Sequence, residues 1–342
     1  MPTASVTPAA TPDQPWLVAD IGGTNARFGL VAHPGAPVDR VRRLAVTDHA
    51  GPGEAIQAYL AGLIAEGGPA VRPVAAALAV ATPVTGDAVA FTNSPWRFSA
   101  RALAAQQGWR ALQVLNDFEA LALSLPRLGP GQRWTPAGWP APAGPPERAL
   151  AVVGPGTGLG VGAVLPTAAG WVAVPGEGGH VTLAAADDEE AALLAWVRQR
   201  HAHVSAERLL SGLGLPLLHQ AVAALVGQSV AERTAAEILQ AGLAAPDAGG
   251  DVLCARTLDH FCALLGGVAG NAVLTLGARG GLYIGGGIVP RLGEAFARSR
   301  FRERLIGKGR YRAYLESVPV ALITDTLAAL AGASLALEQA QG

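Results

Sequence analysis

Three glycine-rich strand ends stand out as places where chemistry could be held: Gly22-Gly23-Thr24, Gly156-Thr157-Gly158 and Gly285-Gly286-Gly287. Glycine lets a backbone turn tightly and present N–H groups to phosphate oxygens with no Cβ in the way. Any one of them could be a plain hairpin or packing turn. Three together, two with an adjacent threonine, point towards nucleotide binding. "GLGVGA" also matches the looser dinucleotide pattern, but the segment continues as an apolar strand where that pattern needs a helix. Asp20 interrupts an apolar strand directly before the first turn. It is either a turn-forming residue or a hard carboxylate suited to a hydrated Mg²⁺ beside phosphates.

Five further polar residues sit in unusual company. Asn116 and Asp117 join an apolar strand to an apolar helix in "LQVLNDFEALALSLP". Such a join wants a cap for its orphan N–H groups, so Asp117 is either a cap or a reactive carboxylate. "VPGEGGHVTLA" places Glu177 and His180 in a glycine-rich loop, where an acid does little for stability. Glu207 follows a plausible Ser205 cap, and could equally be a first-turn acid favoured by the helix dipole. His201 and His203 lack a third ligand at sensible spacing and are expected to be exposed.

Composition prunes the alternatives. Of 342 residues, 50% are hydrophobic and 15% charged, so a sizeable core can be buried, and the length suggests two lobes. A net charge of −1, with no basic block, argues against nucleic acid or an anionic membrane surface as partner. Apolar runs are broken well short of the roughly 18 residues of a membrane span. Lys308 is the only lysine, and its surroundings lack the Walker spacing. Cys254 and Cys262 share one apolar helical pattern and are expected as buried thiols, which suits a reducing cytoplasm. The first fifteen residues have neither the charged nor the apolar region of a secretory signal, and suggest a disordered tail.

These residues need elements to position them. "WLVADIGGTNARFGLVA" predicts a hairpin around Gly22-Gly23, and "ALAVVGPGTGLGVGAVLP" predicts another, which suggests two lobes of related topology. "GEAIQAYLAGLIAEGG" predicts an amphipathic helix with Ile56, Tyr59, Leu60, Leu63 and Ile64 inward. The Pro-rich stretch from Arg127 to Glu147 suggests an irregular linker or surface loop. In the second half, "SVAE" at Ser229–Glu232 looks like a capping box. A long apolar helix is expected over Asp251–Leu276.

"DIGGTNAR", "LNDF", "GPGTGLGVG", "PGEGGH", "SAERLLSG" and "GGLYIGGGIVPR" occur in the order and approximate spacing of bacterial glucokinases, which this chain resembles from about Trp16 to its last helix. The zinc-binding cysteine motif of the repressor–kinase family is absent. The resemblance implies an α/β, two-lobed actin-like ATPase (ribonuclease H-like) fold, with a cleft between a smaller and a larger domain. The expected division is a tail over 1–15, a small domain over 16–127 completed by 322–342, and a large domain over 128–321. By position, Asp117 would be the catalytic base, and Asn93, Asn116, Asp117, Glu177, His180 and Glu207 would bind the sugar. Asp20, Gly22, Gly23, Thr24, Asn25, Thr157, Gly158, Gly285, Gly286 and Gly287 would serve ATP, with Asp20 holding Mg²⁺ through water. The implied protein is a cytoplasmic, homodimeric glucokinase making glucose 6-phosphate for glycolysis. A kinase of the same fold for another hexose or for polyphosphate, and a non-catalytic sugar-sensing regulator, are the competing readings.

Overall fold

The computed structural model describes residues 7–92 and 94–341. The chain divides into two compact units, Met1–Leu128 with Val164–Pro175 and Asp325–Gly342, and Gly129–Ala163 with Gly176–Thr324. The segment 164–175 therefore clusters with the first unit, whereas the sequence suggested the large domain.

In the first unit, β1 (Trp16–Ile21) and β2 (Asn25–Val31) pair antiparallel around the glycine turn, and β3 (Asp39–Ala45) pairs with β2. β4 (Ala75–Val80) runs parallel to β1, and all six of its residues are buried, as expected for a strand covered on both faces. A separate ribbon of β5 (Ala88–Ala90) and β6 (Arg97–Ser99) follows. β7 (Ala111–Asn116) then returns parallel to β4, giving the order β3-β2-β1-β4-β7.

The second sheet contains β8 (Arg133–Trp134), β9 (Leu150–Pro155), β10 (Leu159–Thr167), β11 (Gly170–Val174), β12 (Gly281–Ile284) and β13 (Val320–Ile323). Its order is β11-β10-β9-β12-β13-β8, with β9, β12 and β13 parallel. Apart from β8, both sheets have the order 3-2-1-4-5, so the two hairpins do begin related topologies.

Local expectations fail in three places. Thr7 is buried and donates its N–H to Ala340 O at 2.9 Å, while Trp16 Nε1 donates to Pro8 O at 2.8 Å. Residues 7–15 are thus anchored, and the disordered tail is not what the structure has there. The Pro-rich stretch is irregular over 135–149, as expected, but it is tied down: β8 pairs with β13, and Trp139 stacks on Phe301 at 5.8 Å. The predicted box at 229–232 is irregular; the helix begins after Thr234, boxed with Glu237. Finally, Ile64 in the helix Pro52–Ala65 is 52% exposed despite its place in the apolar pattern. The helix Val252–Leu276 is long and apolar enough for a membrane span, but 67% of its most apolar window is buried in the second unit. Both cysteines it carries are free and buried.

Candidate active site

Strand register builds the first unit's half of the chemistry. Ile21, Val80 and Asn116 lie on one rung across β1, β4 and β7. The carboxyl ends of these parallel strands therefore emerge side by side, carrying Gly22–Gly23, Ala81–Thr82 and Asn116–Asp117. Ligands of open α/β sheets bind outside such strand ends. With strands about 4.8 Å apart, the strand ends bearing the glycine turn and Asn116 are separated by roughly 10 Å.

The join after β7 is a full capping box. Asn116 Oδ1 accepts from the backbone N–H groups of Phe118 (2.9 Å) and Glu119 (3.4 Å), and Glu119 Oε2 accepts from Asn116 N at 3.4 Å. Burial pushes the Glu119 carboxyl upwards, opposed by that N–H. Asn116 Nδ2 donates to Thr82 O at 3.4 Å, which leaves one amide hydrogen for a ligand. Capping thus falls to Asn116. Asp117 is the first residue of the helix Asp117–Ser124, where the dipole favours a carboxylate, and its Oδ1 accepts from Phe118 N at 2.9 Å.

The helix bearing Asp117 is seated by the C-terminal helix Ala328–Gln339. At their crossing, a Cβ on Gly332 would lie 1.7 Å from Ala120 O, so only glycine permits this approach. Arg127 and Glu338 add an ion pair at 3.0 Å beside it.

At the first glycine turn, Gly22 N donates to Asn25 O at 2.9 Å, and Thr24 and Asn25 are exposed. Asp20 pairs with Arg27 at 3.3 Å. Burial raises its carboxyl above the ordinary range, and the Arg27 guanidinium opposes that shift. Among the described residues no group of three or more His, Cys, Asp or Glu side chains is placed to hold a metal. A single carboxylate beside a glycine turn still fits Mg²⁺, which keeps most of its waters and is commonly held through one or two carboxylates and phosphate groups.

The second unit gathers the remaining residues. Gly156 N donates to Gly158 O at 2.8 Å, closing the second turn, and Thr157 at its tip is exposed. The third turn lies against it. Gly285 N donates to Val153 O at 3.0 Å, and Gly286 has φ +75° with its missing Cβ only 2.3 Å from Pro155 O. Gly212 N also donates to Gly156 O at 2.8 Å. Gly212 was not singled out from the sequence, although its setting in "LLSGLG" is the same kind of glycine signal.

Glu177 is exposed and precedes the short turn Gly178–His180. Gly179 lets this loop close on β10, since a Cβ there would sit 1.9 Å from Leu159 O. His180 Nε2 lies 3.8 Å from Glu207 Oε1, and Glu207 Oε2 accepts from Leu159 N at 2.8 Å. Ser205 caps the short helix Ala206–Leu209, and Ala206 N donates to Val181 O at 2.9 Å, which keeps helix and loop together. His180, Glu207, Thr157, Gly158 and Gly285–Gly287 are therefore assembled within one unit. Asp20, Gly22–Asn25, Asn116 and Asp117 are assembled within the other. Asn93 lies outside the described residues. Thr82 and the Leu159 N–H are further contributors that no local pattern marked.

The chain is similar to known proteins over most of its length. The glucokinase family model matches residues 17–340. Glucokinase from Aromatoleum aromaticum is 48% identical over 326 residues, covering 95% of each chain. Glucokinase from Chromobacterium violaceum is 47% identical over 318 residues, covering 93% of this chain and 88% of that one. The crystal structure of a glucokinase from an Antarctic psychrotroph superposes with a TM-score of 0.83 at 37% identity, covering 95% of this chain and 99% of the other. With the family model spanning nearly all of the chain and the relatives matching end to end, the chain belongs to the glucokinase family, hexose kinases of the actin-like ATPase fold.

Proposed function

We propose that this protein is an ATP-dependent glucokinase, transferring the γ-phosphoryl group of MgATP to the 6-hydroxyl of D-glucose to give glucose 6-phosphate and ADP. The observation that carries this reading is the Asn116–Asp117 join at the carboxyl end of β7, in register with the glycine turn after β1. Asp117 takes the proton of the 6-hydroxyl as it attacks phosphorus. Asn116 gives its spare amide hydrogen to a sugar oxygen, and Glu177, His180 and Glu207 provide further sugar hydrogen bonds, with Asn93 as an additional ligand. Carboxylates, amides and imidazole suit a polyol because they present donors and acceptors at fixed angles.

Phosphoryl transfer asks the protein mainly for in-line positioning and charge neutralisation. Backbone N–H groups of Gly23–Asn25, of Thr157–Gly158 and of Gly286–Gly287 cradle the nucleotide in this proposal, while Gly22 and Gly285, whose N–H groups close the first turn and tie the third to β9, shape the backbone beside it. Asp20 holds the substrate's Mg²⁺ through water, and that ion supplies charge neutralisation on the phosphates. Lysine takes no part: Lys308 Nζ donates to Gly267 O at 3.1 Å, and burial lowers its ammonium. We further propose a cytoplasmic homodimer serving glycolysis; buried free cysteines suit a reducing compartment.

A coupled assay over a hexose panel, with ATP or polyphosphate as donor, tests the reading. Turnover should be greatest with glucose and ATP. Higher kcat/KM with fructose, mannose, an amino sugar or polyphosphate would reassign the substrate, and sugar binding without turnover would indicate a sensor. Light scattering at twice the chain mass of 34.6 kDa would support the dimer.

A further inference from the structure

Glu207 stands between two glycine-lined segments of the second unit. Its Oε2 accepts the N–H of Leu159, the residue directly after the Gly156–Gly158 turn, at 2.8 Å. Its Oε1 lies 3.8 Å from His180 Nε2. Gly158 is bare at the place where a Cβ would come within 2.4 Å of Oε2. The carbonyl of Leu159 is in turn approached by Gly179, the neighbour of His180; a Cβ on Gly179 would lie 1.9 Å from it. Both polar groups of one peptide residue thus touch the sugar-side elements, while its neighbours form the phosphate turn.

We propose that Glu207 is a positioning residue for the phosphate turn as well as a sugar ligand, and that it makes the binding of hexose and nucleotide mutually reinforcing. The proposal rests on the functional reading above, in which His180 and Glu207 meet the sugar and Thr157–Gly158 meet the phosphates. A glutamate side chain loses rotamer freedom when it is pinned. Hexose held on Oε1 fixes the whole carboxylate and so keeps Oε2 on the Leu159 N–H. Nucleotide then meets a turn that is already ordered and does not bear that entropy loss again. Linkage makes the effect reciprocal.

The test is calorimetric titration of the full chain with glucose and with the Mg²⁺ complex of a non-hydrolysable ATP analogue, each alone and in the presence of the other. Each ligand should tighten the other by the same factor, about five- to tenfold. Glu207→Ala should abolish the coupling and weaken the analogue several-fold even without sugar. Glu207→Gln, whose amide oxygen still accepts from Leu159 N–H, should restore analogue affinity while glucose binding stays weak. Gly158→Ala should weaken glucose with no nucleotide present, because the added methyl displaces the carboxylate. Circular dichroism melts verify the fold of each variant, and Glu207→Gln, which keeps the acceptor for Leu159 N–H, carries the test where Glu207→Ala fails to fold. Independent binding in the wild type, wild-type analogue affinity in folded Glu207→Ala, or unchanged glucose affinity in folded Gly158→Ala would each overturn the inference alone. A wild-type chain that bound neither ligand would overturn the functional reading together with it.

Discussion

Asn116 turns its amide nitrogen to the carbonyl of Thr82 at 3.4 Å while its amide oxygen caps the helix that Asp117 begins. One side chain thereby locks the end of β7 to the end of β4 and aims the next residue. Asn116→Asp would keep the cap, since aspartate caps as well as asparagine, but would turn an acceptor towards Thr82 and lose the donor. Glucose KM should rise about tenfold or more, with a melting temperature within a few degrees of wild type. Unchanged glucose KM would remove Asn116 from the sugar site.

Asp117→Asn preserves shape, and can still accept from Phe118 N, but removes the proposed base. We expect kcat to fall by roughly 10²–10⁴, with glucose affinity by calorimetry little altered. Near-wild-type kcat would mean that another group takes the proton.

Gly332→Ala lies away from the chemistry yet should reach it. The added methyl would drive against Ala120 O, and overpacking of this kind costs about 1–3 kcal/mol. Both a lower melting temperature and a lower kcat are expected, because the displaced helix carries Asp117. Loss of stability with full kcat would show that the seat does not position the base.

The Asp20–Arg27 pair makes a prediction in pH. Burial raises the Asp20 carboxyl and Arg27 lowers it, so Arg27→Met leaves burial unopposed. The carboxylate then protonates at higher pH, and the acid limb of kcat/KM for MgATP should move upwards. An unmoved limb in the pH–rate profile would take Asp20 out of nucleotide binding.

How much of this was legible in the sequence depends on the range of the interactions. Gly286 needs a left-handed φ and Gly22 a tight turn, and such backbone demands mark single positions. The repeated hairpin likewise announced two sheets of one topology. At the β7 join, local signals could not divide the work between Asn116 and Asp117; the Thr82 carbonyl and the capping box did. Leu159 N–H on Glu207 joins residues 48 apart, and nothing local records it. The anchoring of the Pro-rich stretch was hidden for the same reason: Arg133 donates to Tyr283 Oη across 150 residues at 3.1 Å, a partner its composition does not reveal.

Two buried histidines set a limit on acid stability. Burial, with Arg233 near His219 and Arg300 near His260, pulls both below the ordinary 6.5. The unfolded chain therefore takes up protons first as pH falls, so the stabilisation is complete above 6.5 and is lost below it. The slope should reach about 1.4 kcal/mol per pH unit for each histidine. Urea melts at a series of pH values check this, and His219→Gln should flatten the curve; an unchanged slope would assign the acid sensitivity elsewhere.

The seating of the Asp117 helix also has a consequence for biosynthesis. Arg127 and Glu338 are 211 residues apart, and the crossing at Gly332 joins equally distant stretches. A ribosome releases the β7 join long before the helix that braces it, which lies some 211 residues further along the chain. Until then the first unit lacks part of its core, and contacts so remote in sequence form slowly. The second unit, drawn mainly from the intervening chain, can assemble while the first still waits.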